Sequence, residues 1–138
     1  MRKNCIRILA LIVVLTMMLS AVALAAMNAS EYINSTSGWI TRDGNNVDVN
    51  FYITGAGMMD KIGLKYIYLY ELNGNTWGLV AIYNYTNPTF EDTLMGTNKS
   101  MHSGYVTYSG SSNKQYYASC WFYAEKNGGS DTITQIAY

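Results

Sequence analysis

The residues able to do covalent or metal chemistry are few. His102 is the sole histidine, and Cys5 and Cys120 are the two cysteines. Cysteine nucleophilic catalysis needs a thiol beside an imidazole. His102 shares the phase of Gly104, Val106 and Tyr108, so it points inward and reads as a structural histidine. Nothing around Cys120 resembles a nucleophile–base signature. Its weightier reading is a small buried hydrophobe, free cysteine being among the most buried residue types. A reactive or dimer-forming thiol is the other reading. One histidine and one cysteine are too few for zinc. Asp43-Gly44-Asn45-Asn46-Val47-Asp48 and Glu91-Asp92 are the oxygen-rich stretches, neither with calcium-loop spacing, and the first is what a tight turn wants. No carboxylate pair is spaced for glycoside hydrolysis. No catalytic residue, metal or cofactor is expected.

Aromatic side chains are the richer signal, with 13 tyrosines and three tryptophans. Around Tyr66–Glu71 and Gln115–Glu125, rings alternate with small or aliphatic residues. If Ile67 and Leu69 face the core, strand alternation turns Tyr66, Tyr68 and Tyr70 outward. If Ala118, Cys120 and Phe122 face in, Tyr117, Trp121 and Tyr123 face out. A two- or four-residue loop at Asn73-Gly74 adds Trp77 to that set, whereas a three-residue loop turns it inward. Six rings presenting about 70 Å² each make about 400 Å², the size of the largest apolar patch on an ordinary monomer and often a functional one. Sheet stability is the plainer account, since cross-strand aromatic pairs contribute about 0.2–1 kcal/mol each. One misfit stands: Ile62 and Leu64 share the phase of Tyr66, which requires a bulge or loop near Gly63 to reset the alternation.

The elements positioning these rings begin after a leader. Arg2, Lys3 and Arg7 precede an apolar run over Ile8–Leu19, and Ala23-Leu24-Ala25 follows. Basic, then apolar, then small residues make a secretory signal peptide, with cleavage expected after Ala25. The run is shorter than the ~20 residues of a membrane span. Cys5 leaves with the leader, and Cys120 then has no intramolecular partner. Six bases and nine acids remain, a net charge of −3 without a basic cluster, which argues against nucleic acid. A flexible arm is expected over residues 26–37 and one domain over 38–138.

Within that domain alternation has period two. Val47, Val49, Phe51 and Ile53 make a half-buried strand that Gly55-Ala56-Gly57 ends. Tyr66–Glu71 and Thr76–Tyr83 flank Asn73-Gly74, a strong hairpin signal. Asn84–Lys99, with Pro88, reads as a long connection. His102–Tyr108, Gln115–Glu125 and Thr132–Tyr138 complete about seven strands with Gly38–Arg42. Seven short strands punctuated by turns predict an all-β antiparallel sandwich of the immunoglobulin or fibronectin-III-like kind, in which the two aromatic strands are sheet neighbours.

Two likenesses add to this. Tyr116 to Ala124 resembles the F strand of fibronectin-III and immunoglobulin-like domains, a tyrosine opening the strand and inward residues following at every second position. Gly57-Met58-Met59-Asp60-Lys61-Ile62-Gly63, Tyr68-Leu69-Tyr70-Glu71 with Trp77, Val106–Gly110 and Phe122–Glu125 through Gly129–Thr132 resemble a group of short secreted proteins of unknown function from Gram-positive, often gut-dwelling, bacteria. Cys120 and Trp121 depart from it, standing where an aliphatic and a polar residue are expected. The resemblance implies a bacterial extracellular domain and carries no active site. The expectation is a secreted, non-enzymatic binding module. Its extracellular glycan, cell-wall or protein ligand lies on Tyr66, Tyr68, Tyr70, Trp77, Tyr117, Trp121 and Tyr123, and membrane contact ends with the leader. The alternative is a structural domain that self-associates through that face, with a bacteriocin-like effector third.

Overall fold

The computed structural model describes residues 30–138. The leader and the first residues of the expected arm, 26–29, lie outside the described residues. The elements are β1 (Ile33–Asp43), β2 (Asn46–Asn73), β3 (Thr76–Asn84), the one-turn helix α1 (Glu91–Leu94), β4 (Met95–Ser109), β5 (Tyr116–Lys126) and β6 (Gly129–Ala137). Every strand pairing is antiparallel, and the six strands form one curled sheet.

β2, 28 residues long, organises the rest. Its first half lies between β1 and β4, with Asn50 opposite both Trp39 and Tyr105. Its second half lies between β3 and β5, with Tyr68 opposite both Ile82 and Ser119. β6 extends the second half beyond β5. The curl brings the free side of β1 to the end of β6, where the Ile40 N–H donates to the Tyr138 carbonyl at 3.0 Å.

Three expectations change here. Gly55-Ala56-Gly57 bends the strand instead of ending it: the β4 ladder skips from Thr54 to Met59 and resumes. Glycine allows the turn, Gly57 sitting at φ 111° in the region closed to residues with a Cβ. The segment read as one long connection also contains structure, because α1 occupies part of it and β4 starts at Met95. β1 likewise starts at Ile33, ahead of Gly38. Six strands replace seven because two of those expected are one.

The core follows the alternation. Val47, Val49, Phe51 and Ile53 point in from the first half of β2, and Ile67 and Leu69 from the second. Ile62 and Leu64 are buried too, on the opposite parity. The phase resets at Lys65, where the β5 register jumps from Leu64 to Tyr66. A bulge of this kind inserts one unpaired residue and flips every later side chain. Gly63 is needed for another reason: a Cβ there would run into the Leu94 carbonyl that passes over the strand. Phe122, Cys120, Ala118 and Ala124 close the core from β5. Each large apolar chain buried this way contributes about 1.5–3 kcal/mol.

Two-residue loops connect the hairpins, as Asp43↔Asn46, Asn73↔Thr76 and Lys126↔Gly129. In the last, Asn127 and Gly128 both have positive φ, the requirement of the turn that matches strand twist.

Candidate functional site

The outer surface of the second half is built from four strands. On β2 the Lys65 bulge sends Tyr66, Tyr68, Tyr70 and Leu72 outward. On β5, Trp121 stands opposite Tyr66 and Tyr117 opposite Tyr70. The two-residue loop after Asn73 puts Trp77 opposite Leu72, hence on the same outer surface. Thr134 and Ile136 of β6 stand beside Trp121 and Ser119. None of these outward residues is charged; Lys65 and Glu125 mark the margin.

The rings contact one another in two groups. Trp121 meets Tyr66 and Tyr68 edge-on, each at 5.9 Å between centroids. Tyr70 stacks on Tyr117 at 4.7 Å and 12°, and Trp77 meets Tyr117 edge-on at 4.7 Å. Offset-stacked and edge-on pairs are the arrangements that ring quadrupoles favour, worth about 0.5–1.5 kcal/mol each beyond burial. The tyrosines are thereby partly buried against each other, while Trp77 and Trp121 keep 39% and 38% of their surface exposed.

Tyr123 is the exception among the expected residues. It points outward by phase, yet only 7% of it is exposed. The Lys65 ammonium sits 3.9 Å from its ring centroid, a cation–π contact that covers it. Its hydroxyl donates to the Glu125 carboxylate. Burial first, then that carboxylate, hold the phenol above its ordinary pKa.

The surface is larger than the sequence indicated. Leu79 and Ile82 of β3 and Ile136 of β6 are 49%, 52% and 42% exposed and continue it on both sides. A bulge at Val80, where Tyr70 faces Leu79 but Leu69 faces Ala81, places Leu79 and Ile82 on one side despite their odd spacing. Period-two counting cannot see that. Ile136 was legible, because it alternates with Ile133, Gln135 and Ala137. At the end of this surface a hollow of about 340 Å³ is lined by Trp77, Tyr138, Tyr116, Ile40, Gln115 and Arg42. Arg42 is already engaged, donating to the Lys114 and Ser111 carbonyls at 2.7 and 2.6 Å.

The residues with covalent chemistry are held apart from this surface. His102 is buried, its Nε2 2.9 Å from the Thr93 carbonyl and its ring against Phe51. Burial is the largest influence on it and lowers its pKa, while the Thr93 carbonyl, which can only accept, fixes the hydrogen on Nε2. Cys120 is fully buried beneath Gly38, and burial pushes its thiol up to about 12. A thiol so protonated is a poor nucleophile. Asp43–Asn46 is a hairpin turn. Among the described residues no group of three or more His, Cys, Asp or Glu is placed to hold a metal ion.

Comparison with known proteins returned no match: no family model, no curated protein and no solved structure is similar to the chain at a significant level.

Proposed function

We propose that the chain is a secreted, non-enzymatic binding module whose extracellular ligand rests on the outer surface of β3, the second half of β2, β5 and β6. One observation carries the reading. A solvent-facing sheet surface presents Trp77, Leu79, Ile82, Trp121 and Ile136, each more than a third exposed, with no charged residue among them. Surfaces of this kind on soluble monomers mark interaction sites. Tryptophan and tyrosine anchors dominate binding energy where they are desolvated. Because the rings meet mostly edge-on, the surface is ridged and not a flat platform. That favours a protein or a short glycan over a planar polysaccharide sheet.

The same proposal includes an immunoglobulin or fibronectin-III-like arrangement. Counting the halves of β2 separately gives β1–β2–β4 on one side and β3–β2–β5–β6 on the other, the order of the two sheets in such sandwiches. Tyr116 opens β5, and its hydroxyl accepts the Ser111 N–H at 2.8 Å and donates to Glu71 at 2.6 Å. That bond back to the preceding turn is the signature of a tyrosine corner.

The test uses protein recovered from the medium after expression of the full chain, probed with cell-wall material, glycan arrays and surface proteins. N-terminal sequencing of that protein is expected to begin at Ala26. Retention that vanishes in Tyr68→Ala with Trp121→Ala supports the reading. Equal retention by the variant, or none by the parent, removes it.

A further inference from the structure

The edge of this surface makes its own demand. Among the described residues β3 pairs only with β2, and no other backbone hydrogen bond reaches Trp77–Ile82. Its opposite side therefore presents unpaired N–H and C=O groups. The strand Thr76–Asn84 contains no charged residue and no proline, two of the usual devices that keep an edge from pairing; its one irregularity is the Val80 bulge.

The other outer strands each carry a further contact. α1 lies over β4, where His102 Nε2 bonds the Thr93 carbonyl and a Cβ on Gly104 would meet that same oxygen. β1 is tied to the end of β6 through Ile40. β6 carries Asp131, whose carboxylate accepts the Tyr32 N–H at 3.1 Å. β3 stands out as long, apolar and open.

We propose that β3 pairs antiparallel with β3 of a second copy of this chain, joining two aromatic surfaces into one continuous sheet. The Val80 bulge selects the register. Before it, Trp77 and Leu79 point outward; after it, Ile82 and Asn84 do. Residues directly opposite in a sheet share a face. An antiparallel self-pairing across the whole strand meets that rule when the two-fold axis passes between Val80 and Ala81. Leu79 then lies against Ile82 of the second copy and Trp77 against Asn84. Gly78 lies opposite Tyr83 on the inward side, where the absence of a side chain leaves room for the ring. Leu79 and Ile82, about half exposed in the single chain, become a four-residue apolar cluster at the axis. No like charges meet, because the strand has none.

Sedimentation equilibrium of the secreted protein is expected to show a monomer–dimer equilibrium. Leu79→Lys with Ile82→Lys should weaken the dimer at least tenfold and leave the far-ultraviolet circular dichroism unchanged. Leu79→Cys with Ile82→Cys is the register test. The Val80 bulge sets Leu79 and Ile82 opposite Tyr70 and Tyr68, about 7 Å apart along β2 and close to the limit of disulfide reach, so the readout is a covalent dimer between copies and not the loss of free thiol. A covalent dimer from the double variant, and much less from either single one, is the expected result. Cys120 is sealed in the core and does not compete. A monomer at all concentrations without cross-linking overturns the proposal, as does a dimer indifferent to the lysines. Tyr68→Ala with Trp121→Ala lies in the middle of the sheet and should leave the dimer intact. Loss of the dimer in that variant would mean association by surface stacking, against this proposal; loss of ligand retention alone concerns the binding reading.

Discussion

β2 contributes to two outer surfaces, and they differ in chemistry though they share a backbone. In its first half the outward residues are Asp48, Asn50, Tyr52 and Thr54; in its second they are Tyr66, Tyr68, Tyr70 and Leu72. Around the first half, β1 and β4 add Ser35, Ser37, Thr41, Ser103 and Thr107. Polar side chains bond across the strands there: Ser35 with Thr54 at 2.6 Å, Thr107 to Asp48 at 2.6 Å, Asn50 to Thr41 at 2.9 Å. Trp39, Met101 and Tyr105 are exposed on this side too, but Asn50 lies between Trp39 and Tyr105 and no ring contact joins them. Around the second half the rings touch in two connected groups. Both surfaces cover the same apolar core, and both halves of β2 are central. A strand of this protein thus folds with hydroxyls and amides on its solvent side, so the aromatic excess of the other half is not something strand formation demanded. That contrast is the physical support for a binding role on one side and not the other.

Breaking the contrast begins with matched pairs. Tyr68→Ala with Trp121→Ala is expected to lower ligand retention at least thirty-fold, since a central aromatic anchor is typically worth 2 kcal/mol or more, about that factor. Trp39→Ala with Tyr105→Ala should leave retention within about twofold, measured on the same cell-wall and glycan supports. Equal losses would dissolve the distinction.

Gly63→Ala probes the junction between the halves. A Cβ there meets the Leu94 backbone, so the expected cost is in the range of about 1–3 kcal/mol or more for overpacking, read as a lower midpoint in urea.

The next test concerns pH. Burial lowers the folded-state pKa of His102 below the unfolded value of 6.5. The unfolded chain therefore takes up this proton first, and stability falls as pH drops below about 6.5 until the folded pKa is passed. His102→Gln, which keeps an N–H donor for Thr93, should flatten that segment of the stability–pH profile.

Smaller still is Thr107→Val on the hydroxyl surface, which removes an exposed bond to Asp48 and should cost about 1 kcal/mol or less. Cys120 should resist thiol reagents in the native state and react once denatured. Labelling without denaturant would contradict its burial.

Several features were legible along the chain because they are local. Alternation at Val47–Ile53 and Ala118–Phe122 marked core positions, and Asn73-Gly74 marked a hairpin through its conformational preference. The inward histidine was legible from phase alone, and Ile62 and Leu64 announced a reset near Gly63. Other features were not. Gly55-Ala56-Gly57 reads as a stop because glycine breaks local patterns, yet β4 lies alongside both flanking stretches and holds them as one strand. Nothing within a few residues of Tyr123 reveals that Lys65 will cover it. Nor does β3 betray the bulge that brings Ile82 beside Tyr68.

The sequence by itself determined which residues alternate and where the chain turns back, since both depend on side chains within a few positions of one another. Whether two alternating stretches are one strand, at which residue the alternation flips, and which rings stay open to solvent were decided only in the tertiary structure. Those outcomes depend on partners far along the chain, whose hydrogen bonds and bulk reach a residue only when the sheet has curled.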